Sequence, residues 1–294
     1  MELVQKPKRL VRVGSPDGGE GASALFGGKR LAVIAGPCVL ESPDLGLRVA
    51  EHLRDVCQRL NLPFVFKASY TKANRSSVES YRGPGLEAGL AGLARIRREI
   101  GVPVLTDVHE VHEAEAAAMV VDILQIPAFL CRQTELLEAA GRSGRSVNIK
   151  KGQFLPPSDM GRAAEKVSVA AQAAGHTGGV LLTERGSSFG YGDLVVDMRA
   201  FPIMAASGWP VVFDITHSLQ QPGGRVTGGR REFAATLARA AVAAGADAVF
   251  FEAHPDPAHA LSDAATMLPL EAVAPLLEGL VRLRDALVAV EREL

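Results

Sequence analysis

Six basic side chains sit at or just beyond the ends of short apolar runs in this sequence. They are Lys67, Lys72 and Arg75 in KASYTKANRSS (67–77), Lys150 and Lys151 in NIKKGQF (148–154), and Arg185 in TERGSSFGYG (183–192). A lysine at the end of a buried run is costly unless an anion neutralises it. Taken singly, each is satisfied by a nearby carboxylate, with Asp107, Glu184 and Asp214 at hand. Several converging on one place predict a multiply anionic ligand, most simply one carrying a phosphate and a carboxylate. ANRSS (73–77) adds an arginine, two hydroxyls and loop N–H donors. That pattern can grip a phosphate monoester, although Ser-rich turns are also common without one.

A second set has soft and hard metal-ligand chemistry. Cys38 follows AGP, where a thiol has little structural reason to stand; His217 and Glu252 close two later apolar runs, and Asp263 lies in SDAATMLP (262–269). Thiolate, imidazole and two carboxylates could together hold a divalent ion. The same residues are equally compatible with a buried thiol and a structural histidine. Other patterns fail on spacing. HEVHE (109–113) has its histidines three apart rather than four, GPGLEAG (83–89) follows no strand, and GGKR (27–30) lacks the flanking residues of a phosphate loop. RIRRE (95–99) reads as a solvated helix face and Cys57 and Cys131 as small core residues. His52, His112, His176 and His259 read as surface or capping residues.

The elements that must position these groups repeat. LAVIAG (31–36), PFVFKAS (63–69), PVLTDVH (103–109), ILQIPA (123–128), SVNIKKG (146–152), VLLTERG (180–186), PVVFDITH (210–217) and AVFFEAH (248–254) are continuous rather than alternating, as strands buried on both faces are. Helical periodicity fills the gaps at 42–60, 86–100 and 230–245, and the tail 270–294 supplies a last amphipathic helix. The segment 197–208 is interrupted by Pro202. Eight strand–helix units predict a (β/α)8 TIM barrel over residues 29–294, rather than an open doubly wound sheet, because only closure gathers all the polar run ends at one mouth. Residues 1–28 form an N-terminal extension, either a β-hairpin covering the barrel's lower end or a disordered arm. The Gly- and Gln-rich stretch 219–230 reads as a mobile lid.

Composition narrows the class. The 294 residues are 47% apolar and 22% charged, which excludes a disordered chain. A net charge of −1 leaves no global field to recruit nucleic acid or an anionic membrane. No run of about 18 apolar residues suits a membrane span. The opening MELVQKPKRLVRVG has no signal-type apolar core, and three scattered cysteines suggest no disulfide framework. A soluble, cytoplasmic protein is expected.

The motifs AGPCVLES, FKASYTKANRSS, YRGPGLE, TDVHE, QIPAFLCRQT, NIKKGQF, ERGSSFGYG, FDITHSLQQPGG, EAHPDP and SDAATMLPL occur in one order from about residue 29 to the C-terminus. In this the chain resembles the 3-deoxy-D-manno-octulosonate 8-phosphate synthase family, transferases of lipopolysaccharide and KDO biosynthesis that condense phosphoenolpyruvate with arabinose 5-phosphate. The resemblance implies a phosphoenolpyruvate site at Lys67, Ser69, Lys72, Lys150, Gln153 and Arg185, bordered by Gln125 and Ala128. It implies a sugar-phosphate grip at Asn74, Arg75 and Ser76, and Asp107 and His109 beside the reacting carbons. It also implies a homotetramer. A neighbouring synthase family, making a heptulosonate 7-phosphate from erythrose 4-phosphate, is expected to carry a Lys-Pro-Arg-Thr motif where this chain has KANRSS. Where the metal-independent branch has Asn, this chain has Cys38. The resemblance therefore implies a metal-dependent enzyme with Cys38, His217, Glu252 and Asp263 as ligands of zinc, iron, manganese or a similar ion, Cys38 being a ligand and not a covalent nucleophile.

Overall fold

The computed structural model describes residues 6–14, 23–74, 79–222 and 227–291. Each of the eight apolar runs is a strand: β1 (Ala32–Gly36), β2 (Phe64–Lys67), β3 (Val104–Asp107), β4 (Ile123–Ile126), β5 (Ser146–Lys150), β6 (Val180–Glu184), β7 (Val211–Asp214) and β8 (Ala248–His254). All pair in parallel with their chain neighbours. The sheet closes where β8 meets β1, with Val249 opposite Val33, after β7 has met β8 with Asp214 opposite Phe250. Every strand residue is buried, which is why the runs carry no polar–apolar alternation. Gly36 ends β1 because a Cβ there would stand 2.0 Å from the Lys67 carbonyl oxygen. That close approach brings the loop carrying Cys38 against the end of β2.

Among the described residues, eight α-helices cover the barrel: α1 (Pro43–Arg59), α2 (Leu86–Ile100), α3 (Val111–Ala118), α4 (Thr134–Arg142), α5 (Met160–Ala173), α6 (Ala200–Ala205), α7 (Ala234–Ala243) and α8 (Leu270–Glu291). Ser42 caps α1, its hydroxyl accepting from the Leu45 N–H at 3.2 Å, and Val49, Leu53 and Val56 form the buried stripe. Gly101 stops α2 in the left-handed region at φ 73°. Pro202 falls in the first turn of the short α6, where its missing N–H costs little. The helix expected over 230–245 starts late. Arg230 is extended away from helical geometry, its N–H bonds back to Leu219, and a 3-10 turn over Arg231–Phe233 precedes α7.

The N-terminal extension forms the hairpin. Val11–Gly14 pairs antiparallel with Ser23–Phe26, burying Val11, Val13, Ala24 and Phe26 while Arg12 faces out. It lies against the N-terminal ends of the strands. Val11 packs on Gly179 before β6, Gly27 on Pro210 before β7, and Lys8 pairs with the buried Asp247 before β8. Two carboxylates staple that end of the barrel: Asp122 accepts from the Val104 N–H at 2.9 Å and Asp247 from the Val211 N–H at 3.0 Å. Among the described residues, no helix is long and apolar enough to cross a membrane.

Candidate active site

Barrel closure gathers the strand ends around a cavity of about 240 Å³. That is roughly eight water volumes, room for a molecule of a few carbons with its anionic groups. Lys67 from the end of β2, Lys72 beyond it, Lys150 from β5 and Arg185 after β6 line it, together with Ser69, Asn74, Asp107, His109, Gln125, Ala128, Gln153 and His217. Four cations around one small space are the arrangement a polyanion requires.

Each buried cation is also partly satisfied by the protein. Lys67 Nζ donates to the Cys38 carbonyl at 2.7 Å and to Glu252 Oε1 at 3.0 Å. Burial pulls its pKa down, but Glu252, Asp107 and Cys38 together outweigh this and leave it raised. Lys150 pairs with the fully buried Asp214 over the Phe250 ring. There burial wins, and the Lys150 pKa falls to about 8. Arg185 donates through Nη2 to Gln220, while its Nη1 and Gln153 Oε1 are buried without a hydrogen-bond partner among the described residues. Such groups point to a ligand as their partner. Lys151 does not belong to this wall. Successive side chains diverge at a strand end, so it turns outward to Glu184 at 3.4 Å, the Gly152 and Gly186 carbonyls and the Ser187 hydroxyl.

Beside the cavity, Cys38, Glu252 and Asp263 place one ligand atom each within 4.8 Å of one another. Cys38 Sγ lies 2.9 Å from Asp263 Oδ2 and 3.1 Å from Ser262 Oγ. Burial, then Asp263 and Glu252, hold its thiol well above the ordinary range. His217 is adjacent rather than inside the trio, its Nε2 3.6 Å from Glu252 Oε1 and its Nδ1 2.8 Å from Asp214 Oδ2. Glu252 Oε2 is a buried acceptor with no hydrogen-bond partner among the described residues. A thiol, two carboxylates and a neighbouring imidazole, with one carboxylate oxygen unsatisfied, fit a divalent cation in donor type.

His109 stands between Asp107 and Glu113, with Nε2 3.1 Å from Asp107 Oδ2 and Nδ1 3.4 Å from Glu113 Oε2. Burial disfavours its charged form, yet the two carboxylates outweigh it and raise its pKa. Ser69 donates to Asp107 from the other side. HEVHE is thus a buttress: Glu113 lies in the first turn of α3, where its carboxylate accepts from the His109 and Glu110 N–H groups. Gln125 is fixed by the Asn148 amide at 2.9 Å. Arg75 and Ser76 lie outside the described residues. The stretch read as a lid is tied down along its described arms: Gln220–Gln221 pairs with Gly228–Gly229, and Gln221 and Arg230 both reach Asp193. Residues 223–226 at its tip are outside the described residues. Asp214, Glu113, Ser262 and Gln220 were not among the expected site residues. Asp214 was legible only as a carboxylate at hand for a buried lysine, the part it takes toward Lys150.

Fold and site define a class, that of (β/α)8 barrels with a small cation-lined cavity at the carboxyl ends of the strands. Comparison with known proteins sharpens it. A profile of the DAHP synthetase I family matches residues 20–287. A protein of Syntrophobacter fumaroxidans named 2-dehydro-3-deoxyphosphooctonate aldolase is 58% identical over 257 residues, 87% of this chain and 88% of its own. Proteins of the same name from Magnetococcus marinus and Syntrophotalea carbinolica are 55% identical over 266 residues and 54% over 276; they cover 89% and 93% of this chain and 91% and 98% of their own. The chain belongs to the DAHP synthetase I family.

Proposed function

We infer that this chain is a 3-deoxy-8-phosphooctulonate synthase. It condenses phosphoenolpyruvate with D-arabinose 5-phosphate and water to give 3-deoxy-D-manno-octulosonate 8-phosphate and inorganic phosphate. The observation that carries the reading is the convergence of Lys67, Lys72, Lys150 and Arg185 on one cavity beside the Cys38, Glu252 and Asp263 cluster. The name shared by relatives 54–58% identical supports the eight-carbon product over the heptulosonate alternative.

In this reading Lys67, Lys72, Lys150, Gln153 and Arg185 hold the phosphate and carboxylate of phosphoenolpyruvate, with Ser69, Gln125 and Ala128 shaping the pocket. Asn74, Arg75 and Ser76 take the phosphate of the sugar. C3 of the enol attacks the aldehyde carbon, forming the new C–C bond, and the aldehyde oxygen gains a proton. Water adds at C2 and gives up a proton, and the C2–O bond to phosphate breaks with the bonding pair leaving on phosphate. His109, whose charged form Asp107 and Glu113 favour against burial, would donate to an oxygen that gains charge. Cys38, Glu252, Asp263 and the adjacent His217 would hold a divalent ion, which when bound supplies Lewis-acid polarisation or lowers the pKa of water. Zinc, iron and manganese all suit this donor set. We also propose one catalytic domain over 29–294 with 1–28 as its extension, a homotetramer, and a reducing cytoplasmic setting in which Cys38, Cys57 and Cys131 stay free.

The test is phosphate release from phosphoenolpyruvate with arabinose 5-phosphate, and separately with erythrose 4-phosphate, on chelated protein before and after divalent metal is returned. Release only with arabinose 5-phosphate and only with metal is expected, and Cys38→Ala should lose activity and bound metal together. Release with erythrose 4-phosphate alone overturns the sugar assignment. Full activity in protein shown to be metal-free overturns the ligand assignment.

A further inference from the structure

The stretch 219–230 is not absorbed by the proposed chemistry, yet one of its side chains joins the two halves of the site. Gln220 Oε1 accepts from Arg185 Nη2 at 2.6 Å, and its Nε2 donates to Asp263 Oδ1 at 3.2 Å. A primary amide has one acceptor end and one donor end, so a single orientation satisfies a cation on one side and a carboxylate on the other. Glutamate at this position could not donate to Asp263, asparagine is one methylene short, and alanine makes neither bond. The two hydrogen bonds fix complementary things. Holding Nη2 leaves Arg185 Nη1 as the buried donor without a protein partner among the described residues. Holding Oδ1 leaves Asp263 Oδ2 facing Cys38 Sγ at 2.9 Å and Lys72 Nζ at 3.4 Å.

The surrounding packing makes this connection stiff. Asp263 sits in the left-handed region at φ 48°, an unfavourable setting for a residue with a Cβ that its surroundings must impose. The returning arm of the hairpin braces that loop. Arg231 donates to the Ala264 carbonyl, and a Cβ on Gly229 would stand 2.2 Å from Thr266 Cγ2, so backbone meets loop directly. Behind Gln220, Gln221 and Arg230 anchor the hairpin to Asp193 in the loop that follows Arg185.

We propose that Gln220 is a positioning residue that couples the anion-binding Arg185 to the cation-binding Asp263, so that occupancy of one side raises the affinity of the other beyond what direct charge attraction supplies. The proposal rests on the reading of the site given above. A ligand anion drawing on Arg185 pulls against the amide, and the amide orients the Asp263 carboxylate. Two sites biased through one shared element are coupled reciprocally.

The test is a binding cycle, independent of turnover. Phosphoenolpyruvate is titrated calorimetrically into chelated and Zn²⁺-loaded protein, and Zn²⁺ into protein with and without phosphoenolpyruvate, for wild type, Gln220→Ala and Gln221→Ala, each shown by thermal unfolding to be folded. In wild type each ligand should tighten the other. In Q220A that mutual tightening should shrink by about fivefold or more, the lower end of ordinary coupling, while each ligand alone weakens by about tenfold for one lost charge-assisted hydrogen bond. Gln221→Ala, which removes one of the two anchors at Asp193 while Arg230 keeps the other, leaves the Arg185 and Asp263 bonds in place and should keep most of the wild-type coupling. A Q220A cycle equal to wild type, or a Q221A loss equal to that of Q220A, overturns the proposal. Wild-type protein that binds neither ligand overturns the reading of the site itself, and the proposal with it.

Discussion

Replacing Lys67 with methionine removes a buried ammonium while keeping most of the stem's volume, and its cost follows from what is left behind. Lys67 is 1% exposed and Glu252 0%, and their contact is 3.0 Å. Breaking a buried pair strands an uncompensated charge and costs roughly 3–5 kcal/mol. With unfolding entropy near 2.1 cal/mol/K per residue, a chain of this length loses about 0.6 kcal/mol per degree, so the midpoint should fall by about 5–8 °C. The pH dependence separates this cause from a packing defect. In the wild type burial pushes the Glu252 pKa up, but Lys67, His217 and Lys72 outweigh it and leave it lowered. The stability it contributes is therefore present above the unfolded value of about 4.3 and lost as pH falls through the folded value. Without Lys67 the largest opposing influence is gone and burial carries the Glu252 pKa upward. The variant then takes up a proton on folding, and its deficit should narrow from pH 8 to pH 5. Divalent metal should restore more stability to the variant than it adds to the wild type, because it replaces the missing charge. Scanning calorimetry at both pH values, with chelator and with manganese, makes the comparison. A midpoint loss under about 2 °C at pH 8, on the same conversion, or a deficit that widens toward pH 5, would refute the reasoning.

Two further outcomes are expected. Burial brings the Lys150 pKa down to about 8 in spite of Asp214, so its charge is present below that pH and lost above it. Phosphoenolpyruvate should bind the chelated protein more weakly as pH rises through 8, with Lys150→Met flattening the profile; a wild-type affinity unchanged to pH 9 would count against the assignment. At the opposite end of the barrel, Asp122→Ala should cost about 1–3 kcal/mol, since the buried Val104 N–H loses its acceptor. The Arg97 partner is 44% exposed and adds little. Thermal unfolding should show the loss while KM for both substrates stays put, and an altered KM would show that the effect reaches the mouth.

The strands were legible because they are buried on both faces. Continuous runs such as LAVIAG and AVFFEAH need no partner to be recognised, and polar residues at their ends mark the mouth. The helix ends carry equally local signals, Ser42 before α1 and Gly101 after α2. Less could be read where a side chain's direction matters. Lys150 and Lys151 are adjacent and identical in type, yet one lines the cavity and the other is spent on the wall behind it. Gln220 was hidden in a Gly- and Gln-rich stretch with the composition of a free loop, because its role depends on two partners from other strands.

By itself, then, the sequence determined the strand order, the helices of strongest period, the barrel class and the inventory of chemically capable groups, which rest on local periodicity and on the polar ends of the runs. Only the tertiary structure decided which of those groups meet. Cys38 and Asp263 are 225 residues apart in the chain and 2.9 Å apart in space. The closure of β8 on β1 brings those two loops together, and no local signal encodes that register. The same closure sets His217 beside Glu252 instead of within the trio and aligns Arg185, Gln220 and Asp263, because side-chain direction at a strand end is set by its neighbours' packing and not by residue type.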